Sequence, residues 1–277
     1  MIPRIPLGET VEWLTDWLEA HFGVLFDTVK TVIGSIVDLF EWMLLAGPFW
    51  IWLALFTAAA WLLGRWKFAL FAFLGLGLID NLGYWDPTME TLALVVTSAL
   101  ISILFGIPVG IWCSRSNAVQ HVVTPVLDFM QTMPAFVYLI PAITFFSLGV
   151  VPGVIASVIF AIPPTIRLTN LGIRQVPREL IEAADAFGST PMQKLVKLQL
   201  PLAVPTIMAG INQTIMLSLS MVVFASMIGA QGVGADVYKA VTQVKIGEGF
   251  EAGLAIVILA ILLDRLTQYL IKKKRSV

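Results

Sequence analysis

Long runs of hydrophobic residues alternate with short polar stretches along most of this chain. A helix needs about 20 mainly apolar residues to cross the hydrocarbon core of a bilayer, and seven segments approach that length. These segments cover residues 49–64, 67–84, 90–113, 134–149, 151–169, 204–229 and 252–271. Almost no loop separates the fourth segment from the fifth, so we expect a tight turn near Val150. The pattern predicts an all-α integral membrane protein with about seven transmembrane helices.

The residues that precede these segments do not form a long apolar run. Their apolar and polar side chains alternate with the period of an α-helix. From Glu9 to Leu25, apolar side chains recur at i, i+3 and i+4 spacing and acidic side chains occupy the opposite side, as in an amphipathic helix. A second stretch, ending near Leu45, carries its charges along one stripe. Because charges are costly in hydrocarbon and Trp favours the membrane interface, we predict an amphipathic interfacial helical region over residues 1–46. A solvent-facing lead segment is the alternative.

Basic residues predict how the chain is oriented. Lys and Arg are retained preferentially on the cytoplasmic side of a membrane. The run Lys272-Lys273-Lys274-Arg275 therefore predicts a cytoplasmic C-terminus, and seven spans then place the N-terminus outside. Of the 17 Lys and Arg residues, this topology leaves outside only Arg4, Lys30, Lys239 and Lys245. Residues 1–6 lack the pattern of a signal peptide, so we expect them to remain in the mature protein.

Composition excludes most soluble classes and several functions. The 277 residues are 58% hydrophobic and 13% charged, whereas soluble domains carry about 25% charged residues. A formal net charge of -1 provides no basic surface for nucleic acid. The single cysteine, Cys113, allows no disulfide within the chain, and the isolated His21 and His121 indicate no metal site.

The sequence shows no site for ion coupling within the predicted spans, and no site for ATP binding or catalysis. No charged residue occurs at positions 92–114, 134–166 or 198–235, although gradient-driven carriers usually need ionisable groups near the midplane. Asp80 and Asp264 lie near segment ends, where snorkelling or interfacial carboxylates are expected. The sequence contains neither a phosphate-binding P-loop string nor a convincing catalytic triad or acid pair. We therefore expect a non-enzymatic subunit that receives its driving force from elsewhere.

Two weaker signals lie within the spans. Thr214 and Ser218, at i and i+4, could line a polar pathway, but hydrogen bonding between neighbouring helices is at least as good an explanation. Gly106 and Gly110 form a Gly-x-x-x-Gly pair that could let two helices approach closely, although such pairs are common by chance.

The polar loop at residues 170–203 has the local signals of two short helices joined by a hinge. Pro177 suits the first turn of the first helix, and Gly188 ends that helix because glycine readily adopts the left-handed conformation. Thr190 and Gln193 fit the capping box of a second helix. We expect the second helix to end at Leu200-Pro201, because a proline disfavours continuation into the next span.

Both loop helices also carry apolar stripes. The stripes are formed by Leu180, Ile181, Ala184 and Phe187, and by Met192, Leu195 and Val196. A free connector needs neither paired caps nor apolar stripes, since most connections are about 4–6 residues long. We therefore expect the loop to dock on another protein, with a solvated connector as the alternative.

The sequence of this loop resembles the EAA loop of ABC importer permeases. Glu182-Ala183-Ala184 is followed after three residues by Gly188, and after nine more by Leu198-Gln199-Leu200-Pro201. The family pattern is EAA, three residues, Gly, nine residues, I-x-L-P, and only Leu198 in place of Ile departs from it. The resemblance implies a coupling helix pair seated in a groove of a cytoplasmic ATPase subunit. That partner would bind ATP and magnesium, and the subunit described by this sequence would bind no cofactor.

Longer segments resemble the glycine betaine/proline betaine permease family. They cover residues 78–86, 123–141, 149–167 and 209–216. The resemblance implies a type I ABC importer permease fold. Residues 47–86 would form two accessory transmembrane helices, and residues 87–277 a core of five transmembrane helices with the coupling loop at 170–203.

The resemblance to this family implies a function in osmoprotection. Such permeases form homodimers in the bacterial cytoplasmic membrane, with two ATPase subunits beneath them. An extracytoplasmic or lipid-anchored binding protein delivers the compatible solute. Choline, carnitine or proline are alternative solutes for the same class of importer. A gradient-driven carrier is a rival function, and it would show internal pseudo-symmetry and buried ionisable residues.

Overall fold

The structure is a computed structural model that describes residues 7–275 and the side chains of residues 8–269. Residues 7–275 are helical apart from short turns and contain no β-strand, which confirms the all-α prediction. Two expectations lie outside the described part. They are the absence of a signal peptide at residues 1–6 and the role of the basic side chains at residues 272–275.

Twelve α-helices and one π-helical turn follow one another in the described chain. They are α1 (Leu7–Leu45), α2 (Phe49–Asn81), α3 (Trp85–Arg115), α4 (Asn117–Thr132), α5 (Ala135–Phe146), α6 (Val150–Arg174), α7 (Arg178–Ala186), α8 (Pro191–Lys194), the π-helical turn (Leu195–Gln199), α9 (Leu200–Ser220), α10 (Val222–Ser226), α11 (Val233–Thr242) and α12 (Ile246–Arg275).

Five helical segments of the described chain are long and apolar enough to cross a membrane, or six when the bent pair of α4 and α5 counts as one span. The five are Phe49–Asn81, Trp85–Arg115, Val150–Arg174, Pro191–Ser226 and Ile246–Tyr269. A multi-pass α-helical membrane protein is therefore confirmed. The seven predicted spans differ from these segments at α5, and α2 contains the first two of the predicted spans.

α2 is interrupted at Arg65, whose backbone leaves the helical conformation (φ 68°, ψ -177°). Trp52 and Leu76 line the same cavity, although in a straight helix they would be separated by about 36 Å. Residues 49–64 and 66–81 therefore fold back against each other. The break lies where the sequence placed the boundary between its first two spans.

The predicted span at residues 134–149 is wrong as a separate span. α5 has 12 residues, which cover about 18 Å of a hydrocarbon core that is about 30 Å thick. Instead it joins α4 through a bend of 101°. The bend occurs at Met133, which is extended (φ -70°, ψ 137°) because the following Pro134 disfavours the helical conformation. The tight turn expected near Val150 is present between α5 and α6.

The two amphipathic stretches at the start of the chain are parts of one helix, α1, of 39 residues. No proline interrupts the sequence between Leu7 and Leu45, so the helix continues. Its C-terminal half packs on the bundle. Val37 is fully buried, and the rings of Phe26 and Phe145 stack with their centroids 4.5 Å apart. The placement of α1 in the membrane interface stays a prediction.

Contacts between helices distinguish the two ends of the bundle. At one end the guanidinium of Arg174 in α6 donates to the carbonyl oxygen of Cys113 in α3 at 2.8 Å. This end carries α7, and we call it the α7 end. At the opposite end the ring of Phe49 meets Trp85 edge-on at a centroid distance of 4.8 Å. There the hydroxyl of Tyr84 also donates to the backbone near the start of α12.

α3, α6 and α9 pack together at the centre of the bundle. Gly106 and Gly110 of α3 face α6, where a Cβ on either glycine would lie within 2.8 Å of Thr165 or Thr169. The Gly-x-x-x-Gly pair therefore does allow two helices to approach closely, as its spacing suggested.

Candidate coupling loop

α7 is the first helix of the loop and stands away from the bundle, since none of the residues Arg178–Ala186 is buried. The sequence placed Pro177 in its first turn, but in the structure Pro177 is the N-cap, with an extended ψ of 135°. Its carbonyl oxygen accepts hydrogen bonds from the N–H groups of Leu180 and Ile181. The carbonyl oxygen of an N-cap residue accepts the first hydrogen bond within a helix.

Gly188 ends the first helix as predicted. Its φ of 73° is left-handed, a conformation that costs a residue with a Cβ about 1–2 kcal/mol. The N–H of Gly188 donates to the carbonyl oxygen of Asp185 at 2.9 Å, and that of Ser189 to Ala184 at 3.0 Å. Together these two bonds form a Schellman motif. The hinge between the loop helices is therefore held by hydrogen bonds.

Thr190 begins the second helix with the predicted capping box. Its hydroxyl oxygen accepts from the backbone N–H of Gln193 at 3.3 Å, and the Gln193 side-chain oxygen accepts from the N–H of Thr190 at 2.9 Å. The ammonium of Lys194 forms an ion pair with the carboxylate of Asp185 in α7. This ion pair links the two helices across the hinge.

The second loop helix does not end at Leu200-Pro201, which contradicts the prediction. Leu195–Gln199 forms a π-helical turn, in which the N–H of Leu200 donates to the carbonyl oxygen of Leu195, five residues earlier. The wider turn accommodates Pro201, which lacks an N–H and whose ring would crowd a preceding α-helical turn. Pro191–Ser226 is consequently one helical segment.

The residues of the EAA pattern lie along this loop on an accessible surface. Glu182, Ala183, Gly188 and Pro201 are exposed, and Ala184, Leu198 and Leu200 are half-buried. Leu195 is the buried contact of the region and packs with Ile173 of α6 and Ala203 of α9. The structure therefore places the seven predicted residues on one loop, and the buried Leu195 anchors that loop to the bundle.

Large apolar side chains of the loop point away from the bundle. Phe187, beside the hinge glycine, is 91% exposed, and Leu180, Met192 and Val196 are exposed as well. Ile181 is half-buried. A contiguous exposed apolar surface on a protein is characteristic of an interaction site.

Arg174 holds the start of the loop, a function that the sequence did not reveal. Its guanidinium donates to the side-chain oxygens of Asn170 and Asn117 and to the carbonyl oxygen of Cys113, at 2.8 to 2.9 Å. Along the sequence, Arg174 is simply one of the basic residues of the polar loop at 170–203. Two of its partners lie in α3 and α4, so no local pattern could have identified them.

Thr214 and Ser218 are buried within the bundle. The hydroxyl of Thr214 lies 2.7 Å from that of Thr165 in α6 and donates to the carbonyl oxygen of Ala161 at 2.8 Å. Thr214 therefore makes a hydrogen bond between neighbouring helices, which is one of the two interpretations that the sequence allowed. A pathway-lining role for Thr214 and Ser218 stays a prediction.

Asp264 has partners inside the protein, where the sequence predicted a snorkelling or interfacial carboxylate. It accepts hydrogen bonds from the side-chain amides of Asn212 in α9 and Gln268 in α12, each at 2.8 Å. Thr267 donates its hydroxyl to Asn212. These bonds tie α9, which continues from the loop, to α12.

A comparison with protein families identifies the class of protein to which this loop and bundle belong. Residues 102–276 match the family described as "Binding-protein-dependent transport system inner membrane component". The chain belongs to this family. The permease is therefore a multi-pass membrane subunit of a transport system. The match begins within α3, so α1 and α2 lie outside it.

Curated relatives match the permease along almost its whole length. It is 57% identical over 275 residues to the glycine betaine transport system permease protein OpuAB of Bacillus subtilis, covering 99% of this chain and 98% of that protein. It is 56% identical over 279 residues to the glycine betaine/carnitine transport permease protein GbuB of Listeria monocytogenes, covering 99% of both.

A solved structure shows the same fold. A chain from the inward-facing MetNI methionine ABC transporter matches with a TM-score of 0.64 and 23% identity, covering 69% of the permease and 95% of that chain. The permease therefore has the type I ABC importer permease fold and carries additional chain beyond it.

Proposed function

We propose that the permease is the membrane subunit of an ATP-driven importer of glycine betaine and related compatible solutes. A separate ATPase, which binds ATP and magnesium, drives it through the coupling loop, and an extracytoplasmic binding protein delivers the solute. Two copies of the permease form the translocation path. The observation that carries this proposal is the capped two-helix loop at residues 178–199, in a chain of the binding-protein-dependent transport family.

The surface of the loop supports docking to the ATPase. Apolar side chains that stay exposed in the free subunit gain stability when a partner covers them, at about 25 cal/mol per Å² of apolar area. Phe187 contributes the most exposed ring of this surface. Because the hinge at Gly188 is hydrogen-bonded on both sides, the partner meets a preformed shape and loses little conformational entropy in ordering it.

The continuity of the second loop helix supports transmission of force. From Pro191 to Ser220 the helix runs without a break from the loop into the centre of the bundle. Within the bundle, Thr214 bonds to α6 and Asn212 bonds to α12. Movement of the loop by the ATPase would therefore displace three spans together, as alternation between inward- and outward-facing states requires.

The distribution of basic side chains supports a cytoplasmic position for the α7 end. Arg115, Arg174, Arg178, Lys194 and Lys197 all lie at or beside this end, at the ends of α3 and α6 and along the loop. At the opposite end the basic side chains of α11 and the turn after it are Lys239 and Lys245. Retention of Lys and Arg on the inside then places the loop in the cytoplasm and α1 on the outer side.

The names of the relatives support the choice of solute. Those of OpuAB and GbuB both include glycine betaine, and that of GbuB adds carnitine. Glycine betaine is therefore the first solute to test, with carnitine, choline and proline as competitors.

The proposal is tested by purifying the permease together with the ATPase and the binding protein that it requires. We expect Phe187→Ser to reduce co-purification of the ATPase about tenfold or more, because exposed aromatic anchors commonly dominate an interface. Phe250→Ser is the matched control, since Phe250 is also highly exposed but lies at the opposite end.

Transport is measured in proteoliposomes with radiolabelled glycine betaine. We expect uptake to require ATP and all subunits and to persist when ionophores dissipate ion gradients. Uptake by the permease alone, or uptake that stops with the gradient while ATP remains, would contradict the proposal. Equal loss of the ATPase from both phenylalanine variants would exclude the loop as the docking surface.

A further inference from the structure

A cavity of about 330 Å³ lies between α1, both halves of α2, α3 and α12. All the side chains that line it are hydrophobic, and they include Phe56, Leu76, Leu92 and Leu263. The cavity is more than twice as large as an engineered apolar cavity of about 150 Å³ that stays free of water and binds small apolar molecules. Water is an unsuitable occupant here, because it needs about two to four polar partners and Trp52 is the one lining residue that carries an N–H group on its side chain.

The position of the cavity indicates which apolar molecule can reach it. α2, α3 and α12 are all long and apolar enough to cross the membrane, so the cavity lies within the hydrocarbon layer. Its lining extends from Leu259 to Leu266 along α12 and from Trp52 to Ala60 along α2, about 10–12 Å in each case. Met43 lines it and is 46% exposed, so the cavity reaches the protein surface. The molecules that surround such a surface are lipids.

Basic side chains adjoin the cavity towards the α7 end. Arg65 forms the turn in α2 and Lys67 follows it, between the lining residues Ala60 and Phe68, and both are exposed. The exposed Arg265 directly precedes a lining residue of α12. The turn and α12 are in contact, since the rings of Phe68 and Tyr269 have centroids 5.4 Å apart. None of the three cations takes part in an ion pair among the described side chains.

Acidic side chains adjoin the cavity towards the opposite end. Glu41 follows the lining residue Phe40 in α1, and Glu90 follows the lining residue Met89 in α3. A phosphate is repelled by these carboxylates and attracted by the cations at the other end. The charges therefore select one orientation for a molecule with a hydrocarbon chain and an anionic phosphate.

We propose that the cavity binds one acyl chain of a phospholipid from the leaflet at the α7 end, with the lipid phosphate held by Arg65, Lys67 and Arg265. The bound lipid fastens α1 and the hairpin of α2 to α3 and α12. The site depends on none of the transport partners, so it is tested on the full chain alone.

The experiment uses the full-length permease in nanodiscs that contain phosphatidylglycerol with a diazirine in one acyl chain. After irradiation, we expect the label on peptides that carry lining residues of α2, α3 and α12. Ala60→Phe places an aromatic ring in the cavity, where it competes with the acyl chain, and should reduce this labelling about tenfold. Leu74→Phe is the matched control on the same helix, since Leu74 is exposed and does not line the cavity, and it should leave the labelling unchanged.

The cations are tested with Arg65→Gln and Lys67→Gln, each of which should weaken lipid retention about fivefold, because a basic residue near a membrane surface contributes about 1 kcal/mol of attraction. Arg115→Gln removes an exposed cation at the same end and should have no effect.

Labelling spread evenly over exposed positions such as Leu62 and Leu74 would show only surrounding lipid and would overturn the proposal. The distribution of the label on the unmodified protein distinguishes a bound lipid from surrounding lipid even if Ala60→Phe fails to fold. Crosslinks to a second copy in place of lipid would also overturn it.

Discussion

At the scale of single residues, Gly188 shows how one backbone conformation shapes the loop. Its φ of 73° is strained for any residue with a Cβ, yet a Cβ built there meets no atom within 4 Å. A substitution at this position therefore acts through the backbone and not through a steric clash. The bend between the loop helices is the property that such a substitution changes.

We expect Gly188→Val to uncouple ATP hydrolysis from uptake while leaving membrane insertion intact. The strain of about 1–2 kcal/mol favours a straighter hinge, so solute transported per ATP should fall roughly tenfold in proteoliposomes. Gly188→Asn is the control, because asparagine tolerates the left-handed conformation and should retain most of the coupling. Normal uptake by Gly188→Val would contradict the prediction.

Asp236 is a residue of α11, at the end opposite α7, whose charge opposes folding. Burial raises the pKa of its carboxyl above the ordinary value, and the nearby Glu248 adds to the rise while Lys239 lowers it. The neutral acid is therefore favoured in the folded state. As the pH rises from the ordinary carboxyl pKa of about 3.9 through the raised value, the folded state loses stability relative to the unfolded state.

We expect Asp236→Asn to raise the melting temperature of the purified permease at pH 7, because the amide carries no charge to desolvate. The difference from the unmodified protein should shrink as the pH falls to 3.5, below the ordinary carboxyl pKa of about 3.9, where the aspartic acid is mostly neutral in both folded and unfolded states. A thermal-shift series from pH 3.5 to 8 measures both limits. A gain that is independent of pH would show that burial of charge is not the cause.

At the scale of elements, the second loop helix is set by one cap and one irregular turn. The capping box at Thr190 satisfies N–H groups that the first turn of a helix leaves unpaired. The π-helical turn at Leu195–Gln199 then carries the helix past Pro201. The cap determines where this helix starts, and the π-helical turn makes it continuous with a transmembrane segment.

We expect Thr190→Ala to loosen the start of this helix, because loss of an N-cap side chain costs about 1 kcal/mol. Amide hydrogen exchange at residues 192–195 should accelerate about fivefold, and exchange in α7 should change less. Thr190→Ser keeps the hydroxyl and should leave the exchange rates nearly unchanged. Equal rates in all three proteins would mean that the cap does not stabilise the loop helix.

At the scale of the whole molecule, charge and exposed apolar surface are distributed along the axis of the bundle. The α7 end carries the loop with Phe187, and the opposite end carries α11 and the exposed Phe250. These two phenylalanines therefore mark opposite sides of the membrane. Cys113, the one cysteine of the sequence, is 2% exposed, so we expect it not to react with a thiol-labelling reagent.

We expect Phe250→Cys to react in intact cells with a maleimide that does not cross the membrane. Phe187→Cys should react only after the cells are opened, because we place the α7 end in the cytoplasm. The unmodified protein serves as the control for Cys113. Labelling of Phe187→Cys in intact cells would reverse the proposed orientation.

The loop at residues 170–203 illustrates which features a sequence can predict. The Gly188 hinge and the Thr190 capping box form between residues a few positions apart, so their geometry follows from local sequence. The partners of Arg174 and Asp264 come from other helices, and no pattern along the chain identifies them. The helix also continues through Pro201 because of a π-helical turn, where the general behaviour of proline suggested an end.

By itself, the sequence determined the α-helical membrane class, the break in α2 and the caps of the loop, because apolar length and local hydrogen bonding depend only on neighbouring residues. The tertiary structure alone decided that α5 is part of a bent pair, that Thr214 bonds to α6 and that an apolar cavity lies between α2 and α12. These features depend on which helices meet, and at what distance. Packing of the whole bundle sets those distances.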